Sequence, residues 1–246
     1  MARRVRWWFL NTPKVVIIEG SPRRYGNSTK LAFIAEKGAK DMGCLTEIIW
    51  ISDYEIKPCI GCVSDDIMAC KYPCVIRDDF NKIAEKLISS DGIILSTPIY
   101  WYMVPGHVKI LLDRMTSLEN MLLHNGKSLL DGKVAAFIAT GNDAGTSTTI
   151  SYLMDVFNSY GCHIPAWALA YHHSYEDVLN NGPAVIDSYN IGINVCRLSK
   201  VLKEERDPWY TFNVDFDELR KYTESEISKL KMSPLEERVA RANGGK

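Results

Sequence analysis

The chain predicts an α/β fold: a doubly wound, five-stranded parallel sheet with helices on both faces, followed by a helical C-terminal extension. Three observations predict it. Short continuous apolar runs such as Val15-Val16-Ile17-Ile18 recur, the mark of strands buried on both faces. Between them lie segments whose apolar residues repeat at helical spacing. The two kinds alternate as far as about residue 170, a pattern that parallel strands with right-handed crossovers produce.

Each element has its own signal. Lys14 to Glu19 reads as the first strand. A helix from about Ser28 to Met42 carries Leu31, Ile34, Ala35 and Gly38 on one face, and Leu45 to Ile51 is the second strand. A cysteine-bearing loop precedes a helix from about Asp79 to Ser89, with Phe80, Ile83, Ala84 and Leu87 inward and Asp78 or Asp79 as N-cap. Gly92 to Ser96 is the third strand, ending in Thr97-Pro98. Pro105 suits the first turn of the next helix, which buries Val108, Leu111, Leu112 and Met115. Lys133 to Ala139 is the fourth strand, and Ile150, Leu153, Met154 and Phe157 line the helix after it. Cys162 to Leu169 is expected to be the fifth, with Pro165 marking an edge or an irregularity. Helices are expected at Ala184 to Leu202 and Asp215 to Lys231. The organisation is then an N-terminal arm at 1–13, a domain at 14–170, and residues 171–246 as a helical extension of that domain.

Composition narrows the function classes. With 46% hydrophobic and 24% charged residues the chain is ordinary for a globular protein. A net charge of −1 leaves no electrostatic footprint for nucleic acid, and no run approaches the roughly 20 apolar residues of a membrane helix. Arg3, Arg4 and Arg6 before Trp7-Trp8-Phe9-Leu10 imitate a signal peptide only faintly, because the apolar part is short. A cytoplasmic location is expected. Seven cysteines, an odd number, argue against a disulfide framework; Cys44, Cys162 and Cys196 read as small buried hydrophobes.

In an open parallel sheet, ligands bind beyond the carboxyl ends of the strands. Three unusual loops fall there. Gly20-Ser21-Pro22-Arg23-Arg24-Tyr25-Gly26-Asn27-Ser28-Thr29 joins a strand to a helix N-terminus, offering hydroxyls, arginines and free N–H groups to an anion. Asn27 is placed to cap that helix. The loop is neither G-x-G-x-x-G nor a Walker loop. The second loop, Thr97 to Gly106, carries Tyr100-Trp101-Tyr102, a platform for a flat ligand or a subunit contact. The third, Thr140 to Gly145, has two glycines that let backbone approach a ligand. His107, at the start of a helix, reads as solvent-facing rather than as a proton donor.

The ordered set G-S-P-R-R-Y-G-N-S-T-K-L, C-I-G-C, C-V-I-R-D-D-F, T-P-I-Y-W-Y-M-V-P-G-H-V-K-I-L-L-D-R and A-T-G-N-D-A-G resembles the NADPH-dependent FMN reductase family, especially its iron–sulfur flavoprotein branch, over residues 14–170. The resemblance implies a flavodoxin-like fold and an FMN-dependent oxidoreductase. It implies that Ser21, Arg23, Asn27, Ser28 and Thr29 hold the FMN phosphate. Pro98, Ile99, Tyr100 and Trp101 would line the ring, and Thr140, Gly141 and Asn142 its other edge. Lys109, Asp113 and Arg114 match the family's K…DR helix, in a structural role. NAD(P)H or a ferredoxin-like protein would supply electrons, a quinone, free flavin or other small molecule would accept them, and the chain would form a homodimer or homotetramer. A flavodoxin-like electron carrier without enzyme activity is the alternative.

The four clustered cysteines stay open. Their spacing is Cys59-x2-Cys62-x7-Cys70-x3-Cys74. The branch resembled holds a [4Fe–4S] cluster on a tighter run, with two residues between each of the first three. Here only the first pair matches. A cluster, a zinc site on two cysteine pairs, or a metal-free loop of reduced thiols each accounts for them.

Overall fold

A computed structural model describes residues 12–205, 207–230 and 234–244. The N-terminal arm to residue 11 lies outside them. Five parallel strands, β1 (Lys14–Glu19), β2 (Leu45–Trp50), β3 (Gly92–Pro98), β4 (Val134–Gly141) and β5 (Leu169–His173), form one sheet in the order β2-β1-β3-β4-β5. This is the flavodoxin-like order, and it reverses between β1 and β3.

The central strands are buried on both faces because both are covered by helices. On one face α1 (Asn27–Asp41) and α5 (Gly182–Leu202) pack over Val15, Ile17, Ile94, Ala136 and Ile138. On the other, α2 (Phe80–Ile88), α3 (Gly106–Glu119) and α4 (Thr146–Ser159) cover Val16, Ile18, Ile93, Leu95 and Phe137. The α1–α5 crossing is close, with glycines where the helices meet. A Cβ on Gly192 would stand 1.9 Å from the Ala35 carbonyl oxygen, and one on Gly38 would stand 2.2 Å from that of Tyr189.

Two expectations are corrected. The fifth strand lies at Leu169–His173, where Phe137 pairs with Leu169 and Gly141 with His173, not at Cys162 to Leu169. Residues 163–168 keep one isolated bridge, Val134 with His163. Pro165 has no N–H for a ladder, and Trp167 turns the chain at φ 58°. The second correction concerns Cys44 and Cys196, which form a disulfide rather than two separate thiols. They are 152 residues apart in sequence, but the α1–α5 crossing brings them together. Cys162 is free and buried, as read.

The chain divides into two compact units, residues 1–210 and 211–246. The sheet and α5 belong to the first. The second holds α6 (Phe216–Ser228), capped by the Asp215 side chain on the Glu218 N–H at 3.0 Å, and α7 (Pro234–Ala242). Among the described residues no helix is long and apolar enough to cross a membrane.

Candidate functional site

A cleft of about 510 Å³ opens beyond the carboxyl ends of β1, β3 and β4. Its volume lies within the roughly 300–1,000 Å³ of small-molecule sites. Ser21, Arg23, Asn27 and Ser28 line one end, and Pro98, Ile99, Tyr100, Thr140, Gly141 and Asn142 the other. The structure thus gathers ten of the twelve expected cofactor residues around one cavity. Thr29 and Trp101 are not among the lining residues.

Thr29 is buried behind the loop, where its hydroxyl donates to the Arg23 carbonyl at 3.0 Å. The loop is further shaped from within. Ser21 Oγ accepts the Arg23 N–H at 3.0 Å, and Gly20 N donates to Ser96 O at 2.8 Å, fixing the loop to β3. Arg23 lines the cleft, whereas Arg24 lies over the Trp50 ring at 4.0 Å and pairs with Asp53. Asn27 does not cap α1. Its side chain accepts from Val178 N at 3.1 Å and donates to Glu176 O at 2.9 Å, tying the loop after β5 to the helix start. That loop brings Tyr175 to the cleft, and Tyr25 joins it from the first loop. Neither tyrosine was expected: residue 175 follows a strand whose position the sequence misplaces. His107 is half-buried, and its Nε2 donates to the Gly20 carbonyl at 2.7 Å, so it props the loop rather than facing solvent.

The two other loops are joined by Ile99 N donating to Thr140 O at 2.8 Å. Tyr100 and Met103 then bond across a tight turn, with Trp101 and Tyr102 both at positive φ, 48° and 68°. Such a turn points its central side chains outward, and Trp101 is accordingly 91% exposed. Gly145, at φ 88°, packs against this turn; a Cβ there would stand 2.7 Å from Tyr102 Cα.

Beneath the first loop lies a buried acid. Glu19 is fully buried, and its Oε1 accepts the Ser21 N–H at 2.9 Å and the Ser28 hydroxyl at 2.8 Å. Its Oε2 has no partner among the described residues. Burial raises its pKa to about 7 despite those bonds. A carboxylate at a strand end, in an otherwise apolar run, was the signal that sequence reading passed over.

The cysteine loop is pinned at its base. Arg114 and Asp78 form a fully buried ion pair, with Nη1 at 2.5 Å from Oδ2, and Arg114 also donates to the Lys57 carbonyl at 2.8 Å. The two ends of the loop, Lys57 and Asp78, are thus held by one side chain from α3, the structural role expected of Arg114. Lys109 and Asp113 pair on the exposed surface one turn apart. Cys59, Cys62, Cys70 and Cys74 are all free. Burial, then the neighbouring charges of Cys59, Cys62 and Cys74, push the Cys70 thiol up to about 11. The donor chemistry suits a cluster or zinc, but the arrangement does not: among the described residues no three His, Cys, Asp or Glu side chains converge as a metal-ligating set.

An iron–sulfur flavoprotein of Methanosarcina thermophila is 34% identical over 152 residues, 60% of this chain and 74% of that protein. One of Methanocaldococcus jannaschii is 37% identical over 149 residues, 58% of this chain and 71% of that protein. The crystal structure of RosB with bound 8-demethyl-8-formylriboflavin-5'-phosphate superposes with a TM-score of 0.67 over 90% of both chains at 19% identity, a likeness of fold. The model of the NADPH-dependent FMN reductase family matches residues 13–176, and the chain belongs to that family.

Proposed function

We infer that this chain is an FMN-dependent oxidoreductase that takes electrons from NAD(P)H and passes them to a small acceptor. One observation carries the reading: a single cleft at the switch point joins an anion-binding helix N-terminus to a slot between two strand-end loops. The residues present fit the cofactor. Hydroxyls, an arginine and a helix N-terminus at one end and Pro98, Ile99, Tyr100 and Gly141 at the other give polar and flat surfaces, and the volume suits one flat ligand with its tail.

On this reading Arg23 and the first-turn N–H groups of α1 grip the phosphate, with Ser21, Asn27 and Ser28 shaping the loop and Thr29 bracing it from behind. Pro98, Ile99 and Tyr100 take one side of the ring, with Trp101 at the outer rim; Thr140, Gly141 and Asn142 take the other edge. Tyr25 and Tyr175 fence the mouth. Bound FMN supplies hydride and single-electron chemistry, and the chain supplies orientation and exclusion of water. A homodimer or homotetramer belongs to the same reading, with the exposed turn Tyr100 to Met103 as apolar surface beside the mouth. Anaerobic addition of NADH or NADPH to the FMN-loaded protein bleaches the flavin and is followed by turnover with quinone or free flavin. Stable one-electron cycling without NAD(P)H oxidation supports the electron-carrier alternative instead.

A finer reading has the cysteine loop take an iron–sulfur cluster and a ferredoxin-like donor, which requires the four thiols, not gathered into a ligand set among the described residues, to draw together. Four free thiols on one pinned loop support it. No step of the reaction above runs through it. Iron and acid-labile sulfide in anaerobically purified protein support this finer reading. FMN retained with neither supports the flavin-only enzyme.

A further inference from the structure

Glu19 lies beneath the first loop of the cleft, bonded to two of the cleft's lining residues. It ends β1 on the face that carries Val15 and Ile17, directly under the start of α1. Its Oε1 is held by Ser21 N–H and Ser28 O–H, two residues that also line the cleft. Among the described residues its buried Oε2 has no donor. An ionised carboxylate wants every lone pair satisfied; a protonated one needs less.

The groups facing it offer no counter-charge. From α1 they are the hydroxyls of Ser28 and Thr29, from β3 that of Ser96, and from the loop the Ser21 N–H. The ionisable groups of the neighbouring elements are engaged elsewhere. His107 of α3 is bonded to Gly20 O, Arg24 is paired with Asp53, and Lys30 of α1 is paired with Asp177. Arg23 lines the cleft. In the register of the sheet, Trp50 of β2 and Ser96 of β3 stand opposite Glu19.

A phosphate monoester at neutral pH carries about −1.5 to −2 charges. Placed in this cleft, it is separated from Glu19 by little more than Ser21 and Ser28. Two anions that share a low-dielectric site do not both remain ionised; one takes up a proton. The phosphate keeps its charge through Arg23 and the helix N-terminus; the carboxyl shares that helix end through Ser28 but has no cation beside it.

We propose that Glu19 is a proton-linked determinant of phosphate binding: when the cleft takes up a phosphomonoester such as FMN, Glu19 takes one proton from solvent onto Oε2. This rests on the FMN reading of the cleft. The burial that already holds the carboxyl at about 7 places the effect in the neutral range. Above that pH the proton must be acquired on binding, so affinity for the phosphorylated flavin falls. Riboflavin, which lacks the phosphate, escapes the penalty.

The test is a fluorescence titration of the full chain with FMN and with riboflavin from pH 6.5 to 9, for the wild type and Glu19→Gln. The wild-type Kd for FMN is expected to rise about tenfold per pH unit above pH 7, the slope of one proton taken up. Riboflavin affinity stays flat. Glu19→Gln binds FMN as tightly at pH 8.5 as the wild type does at pH 6.5. Calorimetry of the wild type in two buffers of different ionisation heat reads uptake of about one proton per FMN at pH 8.5; this arm decides if the variant does not fold. The proposal is overturned by pH-independent FMN affinity without proton uptake, by a Glu19→Gln slope equal to the wild type's, or by riboflavin sharing that slope. No FMN binding at any pH overturns the FMN reading itself and the proposal with it.

Discussion

Arg23 and Glu19 pull the same loop in opposite electrostatic directions. If Arg23 grips the phosphate as proposed, Arg23→Ala removes a charge-assisted contact of about 1.5–3 kcal/mol, so FMN affinity falls roughly ten- to a hundredfold while riboflavin affinity holds; titration with both flavins checks it. Glu19 acts on stability as well. A free glutamate titrates at 4.5 and the buried one at about 7, so between these pH values the native state holds the extra proton. Stability therefore falls as pH rises from 4.5 to 7 and levels off above. Glu19→Gln lacks that loss. Its gain over the wild type is expected to be roughly 3 kcal/mol larger at pH 8 than at pH 4, read from urea unfolding at both. At this scale the sequence was legible where residue type alone decides. Arginine, serine and glycine at a strand–helix junction announce an anion site. What the hydroxyls touch was not legible: Thr29 and Ser28 turn inward because the chain gives them internal acceptors, the Arg23 carbonyl and Glu19.

Among the elements, the α1–α5 pair and the cysteine loop carry the clearest consequences. With Ala35 O so close to Gly192, Gly192→Ala forces the helices apart and costs about 1–3 kcal/mol or more, measurable by denaturant titration. Asp78→Ala strips the partner from a fully buried arginine and costs about 3–5 kcal/mol. The same change frees the base of the loop, so Cys59 to Cys74 react faster with a thiol reagent. β1, β3 and β4 were legible because continuous apolar runs mark a buried parallel strand, and the edge strand β2 because Ile48-Ile49-Trp50 follows a helix of clear period. The fifth was not. Leu169-Ala170-Tyr171-His172-His173 buries only Ala170 and His172, an edge strand without the apolar run, while the apolar stretch before it is broken by Pro165 and Trp167. That shift also hid Tyr175.

For the whole molecule, covalent closure and division into units are what the sequence could not display. Cys44 and Cys196 lie 152 residues apart, and only the finished topology makes them neighbours. By chain-entropy arithmetic a link of that span stabilises by about 5 kcal/mol, so Cys196→Ser or reduction lowers the thermal midpoint markedly while leaving the cleft intact. The boundary at residue 210 likewise follows no Gly-, Ser- or Pro-rich linker. The placement of the cleft, by contrast, followed from the parallel-sheet reading and the unusual loops after the first, third and fourth strands, since the carboxyl ends of the strands are where such sheets bind ligands. The central claim, a flavin enzyme built on this cleft, is tested most directly by loading the purified chain with FMN and adding NADPH anaerobically. The account predicts retained flavin absorbance that bleaches on NADPH and returns with a quinone; a protein that takes up no FMN, or whose bound FMN neither NADPH nor NADH reduces, contradicts it.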